Sequence, residues 1–126
     1  MIFKLRTSKE TMEIFQEIGN SLYLQPFILA KIAIALSIKS KKNFQAEDFK
    51  TDNDGLELNR QTITGDYDEL FKALIISRHN KNIEDSEYFP KYIKAHLDRG
   101  SKMLLSEYRY NPNNFYRNIL NLDANI

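Results

Sequence analysis

The run from Pro26 to Ile38 limits the possible folds of this chain more than any other feature. It reads Phe27, Ile28, Leu29, Ala30, then Ile32, Ala33, Ile34, Ala35 and Leu36, interrupted only by Lys31 and Ser37. A helix with apolar residues on every side has to be enclosed by other elements. It is too short to span a bilayer, which takes about 20 apolar residues, so it reads as a core helix. Pro26 suits the first helical position. Lys39, Ser40, Lys41 and Lys42 close the run, and cations there complement the negative end of the helix dipole.

Amphipathic segments that could enclose it lie on both sides. Thr7 with Glu10 has capping-box spacing, and Met12, Ile14, Phe15 and Ile18 form a stripe that ends at Gly19, a natural stop. This predicts a first helix over 8–18. Asp66 with Glu69 repeats the cap signal ahead of Tyr67, Leu70, Phe71, Leu74 and Ile75, which predicts a third helix over 67–79. A fourth, over 87–107, carries Phe89, Ile93, Leu97, Gly100 and Leu104 on one line. Lys91, Lys94, Asp98 and Lys102 mark its opposite face, with Lys94–Asp98 and Asp98–Lys102 at i,i+4. Gly100 inside a helix weakens it by up to ~1 kcal/mol against Ala, which points to close helix packing there.

Residues 43–65 are the least regular. Asn53, Asp54 and Gly55 mark a turn, and Leu56 to Asn59 alternate as a short extended segment. Ile2 to Arg6 also alternate, as a strand or an extended arm. After the break at Asn111–Asn114, the tail carries Phe115, Tyr116, Ile119, Leu120 and Leu122, which is more apolar surface than a free end should show. The reading is one domain over 1–126. It is all-α, a compact bundle of four to five helices around a fully apolar central helix, with the short N-terminal strand as an option. The tail over 110–126 would pack on the body or on a partner chain.

Function is harder to read. The chain has no cysteine, which excludes disulfides, thiolate zinc sites and a Cys nucleophile. Without an N-terminal apolar leader the expected location is the cytoplasm. His79 and His96 are the only histidines, with no H-E-x-x-H spacing. His79 reads as a helix C-terminal cation and His96 as a hydrogen-bonded helix residue. Aligning Gly55 to the sixth position of a calcium loop puts Lys50 first and Gln61 last, where oxygen ligands are needed, so Asp52–Gly55 reads as a plain turn. No Gly-rich phosphate loop and no G-x-S-x-G elbow occurs. The expectation is no enzyme, no cofactor and no metal.

What remains is charge. Net charge is only +1, but it is unevenly placed: +3 over residues 1–50, −5 over 51–70 and +3 over 71–126. Lys39, Lys41 and Lys42 end the core helix, and Lys91, Lys94 and Lys102 line the fourth. These six are the candidate DNA-backbone contacts, of the kind that supply sequence-independent affinity. Solvated helix surface explains the same residues, and on charge alone it is the plainer reading. A strand bearing Lys4 and Arg6 followed by two helices also fits a ribbon-helix-helix repressor, in which strands of two subunits pair.

Three stretches are familiar when taken together. They are Gly55-Leu56-Glu57-Leu58-Asn59-Arg60 followed by Thr62 to Asp68; Ala95-His96-Leu97-Asp98-Arg99-Gly100; and the helix pair over Thr7–Ile38. Over roughly residues 5–110 the chain resembles the DndE family of DNA sulfur modification (phosphorothioation) proteins. The resemblance implies a small all-helical accessory subunit. Its system replaces a non-bridging phosphate oxygen of DNA with sulfur, and the chemistry is carried out by partner subunits. It further implies a self-associating tetramer that binds double-stranded DNA and favours nicked duplex. Arg60 and Arg99 lie inside the shared motifs, and both read as structural, pairing with Asp54, Glu57 or Asp66. The rival reading is a protein–protein adaptor that holds the other modification subunits together.

Overall fold

The structure is a computed structural model and describes residues 2–110 and Phe115. β1 (Lys4–Arg6) leads into α1 (Lys9–Leu22) and α2 (Pro26–Lys39). A 3-10 turn (Ala46–Phe49), β2 (Glu57–Asn59), the single turn α3 (Arg60–Ile63) and a 3-10 turn (Gly65–Tyr67) follow. Next come α4 (Asp68–His79), the short α5 (Asp85–Glu87), a π-helical stretch (Tyr88–Ile93) and α6 (Lys94–Tyr110). α2 packs along α6 and also touches α1, α3 and α4, so the apolar helix is central, as its composition requires.

Gly100 allows that packing. A Cβ there would overlap the Ala33 carbonyl of α2, so the two backbones meet with no side chain between them. Leu29, Ala30, Ala33 and Ile34 from α2 are fully buried, as are Phe89, Ile93, Leu97 and Leu104 from the apolar line expected over 87–107. That stretch is not one regular α-helix. Pro90 has no N–H to give to the ladder, and the wide π-type turn forms around it. The turn brings Tyr88, Phe89, Tyr92 and Ile93 all into the core.

Several local expectations are corrected. α1 is capped by Ser8, whose Oγ accepts from the Thr11 N–H at 3.0 Å. Thr7 is buried one residue earlier, where its Oγ1 accepts from the Leu56 N–H. Glu10 faces outward, and Lys102 lies 3.6 Å from it. Gly19 does not stop α1. The helix runs to Leu22 and ends on Tyr23 at φ 57°. Gly19 stays inside because a Cβ would come 2.8 Å from the Leu24 carbonyl. Asp66 does not cap α4 either, since Tyr67 holds that position without a side-chain bond. Asp68 is instead gripped by Arg60.

The N-terminal strand is real, and β2 is its partner. The pairing is antiparallel, with Leu5 opposite Leu58 and both side chains turned into the core. β1 takes this partner from its own chain, whereas a ribbon-helix-helix protein pairs the strand with that of a second subunit. Of the tail, Phe115 is buried and its ring meets Tyr108 edge-on at 5.8 Å. Tyr110 is exposed, and residues 111–114 and 116–126 lie outside the described part. Among the described residues no single helix is long and apolar enough to cross a membrane.

Candidate nucleic-acid interface

Two guanidinium groups organise the end of α2, where the unpaired carbonyls of the last turn need donors. Arg99 on α6 donates from Nε to Ser37 Oγ (2.8 Å), from Nη2 to the Ser37 carbonyl (2.6 Å) and from Nη1 to the Lys42 carbonyl (3.1 Å). Arg78, in the last turn of α4, donates from Nη2 to the carbonyls of Ser40 (3.1 Å) and Lys42 (2.7 Å). Segment 37–42 is therefore tied to α4 and α6 through its backbone. Lys39, Lys41 and Lys42 stand exposed along it. The Arg99 guanidinium also stacks on Phe44, 4.5 Å from the ring centre.

Beneath this segment the two histidines meet. His96 is fully buried, its Nδ1 2.7 Å from Ser37 Oγ and its Nε2 2.8 Å from His79 Nε2. One proton is shared between the two facing Nε2 atoms, so one ring donates to the other and the two are not both charged. The Ser37 hydroxyl accepts from Arg99 Nε and keeps a second lone pair and a proton for the His96 Nδ1 contact. Burial, with His79, Arg99 and Arg78 nearby, pushes His96 down to about 3. Burial together with Arg78, Lys81 and Arg99 holds His79 below the usual imidazole range. His79 is thus not the C-terminal cation its position in α4 suggests. Among the described residues no three His, Asp or Glu side chains converge in a way that could hold a metal.

The fourth-helix lysines separate. Lys91 is exposed, its ammonium 5.2 Å from the Phe49 ring centre and 5.5 Å from that of Tyr92. Lys102 is exposed beside Glu10, and its expected pairing with Asp98 does not form. Lys94 departs from the expected solvated face altogether. It is buried, and its Nζ donates to Asp98 (2.6 Å), the Asp52 carbonyl (2.8 Å) and Thr51 Oγ1 (2.9 Å). Asp98 is buried too and also accepts from the Ser8 N–H (3.1 Å), Thr11 Oγ1 (2.7 Å) and Thr51 Oγ1 (2.6 Å). The Lys94–Asp98 spacing is right, but segment 51–55 and the start of α1 cover the pair. Lys94 has no donor left for phosphate.

Arg60 is structural, with partners other than those expected. It is buried and forked between Asp68 (2.6 Å) and Asp85 (2.8 Å), against the rings of Tyr88 and Phe89. Burial alone would raise Asp68. Hydrogen bonds from Arg60, Thr64 and Tyr88 outweigh it and hold the carboxyl below its ordinary range. Asp52 accepts from the Lys9 N–H at 2.8 Å and the Asp54 N–H at 3.0 Å, which makes Asp52–Gly55 the plain turn the sequence indicates.

Sequence reasoning missed Arg78 and Arg99 as the organisers of the lysine segment, and Phe44 and Phe49 beside it. The signal was present: a helix ending in exposed lysines needs donors for its last carbonyls, and guanidinium groups are suited to supply several at once.

Fold and site together define a small, mostly helical protein whose ordered basic segment sits at the end of a buried central helix. The chain belongs to the DndE family: the family model for DNA sulphur modification protein DndE matches residues 4–111. The fold is similar to the crystal structure of DndE from Escherichia coli B7A, a protein involved in DNA phosphorothioation modification. That likeness has a TM-score of 0.65 at 18% identity and covers 82% of this chain and 97% of that one. A G21/24K mutant of DndE involved in DNA phosphorothioation is similar at a TM-score of 0.61 and 20% identity, with the same coverage. No curated protein matches the chain significantly.

Proposed function

We propose that this chain is a non-catalytic accessory subunit of bacterial DNA phosphorothioation that holds double-stranded DNA, nicked duplex included, by its backbone. Lys39, Lys41, Lys42, Lys91 and Lys102 are the contacts in this reading, and Lys94 is withdrawn from the set. The protein works in the cytoplasm as a homotetramer, beside the other modification subunits. The observation that carries the reading is the lysine segment at the end of α2, clamped by Arg78 and Arg99 so that its exposed cations sit on an ordered backbone. Ordering beforehand lowers the entropy lost on binding. Net charge is small, so a single copy offers a modest field; an oligomer that gathers several such segments deepens it.

The experiment is duplex binding at several salt concentrations by the parent and by K39E/K41E/K42E. Backbone contacts make affinity fall steeply with salt and depend little on sequence. The variant should bind weakly and lose roughly one unit of salt slope per phosphate contact removed. Equal binding by parent and variant, or tight binding indifferent to salt, would defeat the reading.

One observation favours the adaptor. Phe27 of α2 (38% exposed) and Tyr67, Leu70 and Leu74 in and before α4 (68, 55 and 44%) leave apolar surface uncovered. The lysine reversal separates the two: an adaptor keeps its assembly with the other subunits when the lysines are inverted.

A further inference from the structure

A cleft of about 190 Å³ opens beside the 3-10 turn, lined by Phe49, Thr51, Asn53, Pro90, Lys91 and Lys94. The duplex reading leaves it without a role. It is smaller than the pockets that hold drug-sized ligands, which start near 300 Å³, and it suits a single flat ring system. One wall is aromatic and one is the Pro90 ring. Asn53 is exposed at the cleft and its amide carries both donors and an acceptor. The Thr51–Lys94–Asp98 bonds fix the inner part.

Cations flank it. A row of contacts runs from the Lys42 carbonyl to Arg99, to Phe44 (4.5 Å), to Phe49 (4.9 Å between ring centres) and on to the Lys91 ammonium (5.2 Å). The two phenylalanines thus lie between the lysine segment of α2 and Lys91. Phe44 is hemmed in by Arg99, His79, His96 and Phe49. Phe49 has His79 and Tyr92 behind it, and the Lys91 ammonium on a flexible stem over its ring. Aromatic rings between backbone-binding cations are the arrangement by which proteins take up unstacked bases.

We propose that the cleft beside Phe49 receives one unstacked nucleobase of the bound DNA. The base stacks on Phe49 and packs against Pro90, with Asn53 at its edge. It displaces the Lys91 ammonium from the ring, and that ammonium moves onto the adjoining phosphate. Intact duplex keeps its bases stacked and uses only the lysines, whereas a single-stranded end uses both. The inference rests on the DNA-binding reading above.

The test uses the full chain and three DNAs of one sequence: a blunt duplex, the same duplex with a short single-stranded overhang, and that overhang with one abasic position. The overhang is also made with 5-iodouracil at the same position for photocrosslinking. The expected result is an adduct on Phe49 and about tenfold weaker binding when the base is removed. F49L should lose the adduct and the preference for the overhang while binding blunt duplex like the parent. The abasic comparison and the crosslink on the parent protein stand even if F49L folds poorly. Crosslinks only at other residues, or equal affinity for the intact and abasic overhangs, would overturn the inference and leave the duplex reading in place. Failure to bind any of the three DNAs at low salt would remove both.

Discussion

Replacing Asp98 with Asn tests what holds the two ends of the sequence together. The Asp98 carboxylate is buried and takes four donors from three parts of the chain: Lys94 on its own helix, Thr51 in the long connection, and Ser8 and Thr11 at the start of α1. An amide of the same size presents two N–H groups where donors already point. It also leaves the Lys94 ammonium buried without an opposite charge beside it. Removing one partner of a buried ion pair typically costs about 3–5 kcal/mol, because the remaining charge is uncompensated. The separate hydrogen bonds do not add to this in full, since they share one carboxylate. An expected loss of about 4 kcal/mol approaches half of what an ordinary domain has in total. With a urea slope of about 2 kcal/mol per molar, the midpoint should fall by about 2 M. The assay is equilibrium urea unfolding of the parent, D98N, K94M and D98N/K94M. The double variant should regain part of the loss, because it no longer buries a lone ammonium. A midpoint for D98N within about 0.5 M of the parent would refute the argument and leave the network as an exposed, water-screened cluster.

Two further outcomes follow from the geometry. G100A should lose about 3 kcal/mol or fail to fold, because the added carbon meets the Ala33 backbone and no rotamer relieves that overlap; thermal unfolding measures it, and a near-neutral G100A would mean that α2 and α6 pack further apart. Stability should fall as pH drops from about 6.5 towards 3: His96 sits near 3 in the fold against about 6.5 unfolded, so the unfolded chain takes up protons first and the contribution present above pH 6.5 is lost on acidification. H96N should flatten that limb in melting temperature against pH, and an unchanged limb would show that the histidines do not control it.

Much of the fold was legible because its main signals are local. Pro26 and the lysines after Ile38 bracket α2 correctly, and the all-round apolar pattern placed it at the centre. Gly100 pointed to a close helix contact for a reason that needs no partner to be known. Caps were read less well. Thr7 and Ser8 are adjacent and chemically alike, and the choice was made by Leu56 and Asp98, which engage them from 49 and 90 residues away. Gly19 looked like a stop because glycines often are one. Its role is to let the Leu24 carbonyl approach, and nothing in the flanking residues separates the two uses.

The candidate site was half legible, and the missing half has one cause. Periodicity places Lys91, Lys94, Asp98 and Lys102 on the outer side of a lone helix, and on a lone helix that is correct. Solvent access is decided by what lies across that side, and here it is the connection over 40–56, for which the pattern predicted little beyond the turn at Asn53–Gly55. Folded over α6 and the start of α1, this segment covers Lys94 and Asp98 and gives Arg99 the carbonyl of Lys42. It sets the Phe49 ring under Lys91 and leaves Lys102 outside. One irregular segment therefore sorts the cations into those that brace and those that face solvent. The sorting follows geometry rather than charge: the two arginines in reach of helix-end carbonyls became braces, where a planar fork satisfies several acceptors at once, and the lysines on the same segment, whose single ammonium does this poorly, were left on the surface. If the exposed lysines bind backbone, the same division explains how a chain of net charge +1 can do so, since few cations are needed once the arginines hold them in a fixed row.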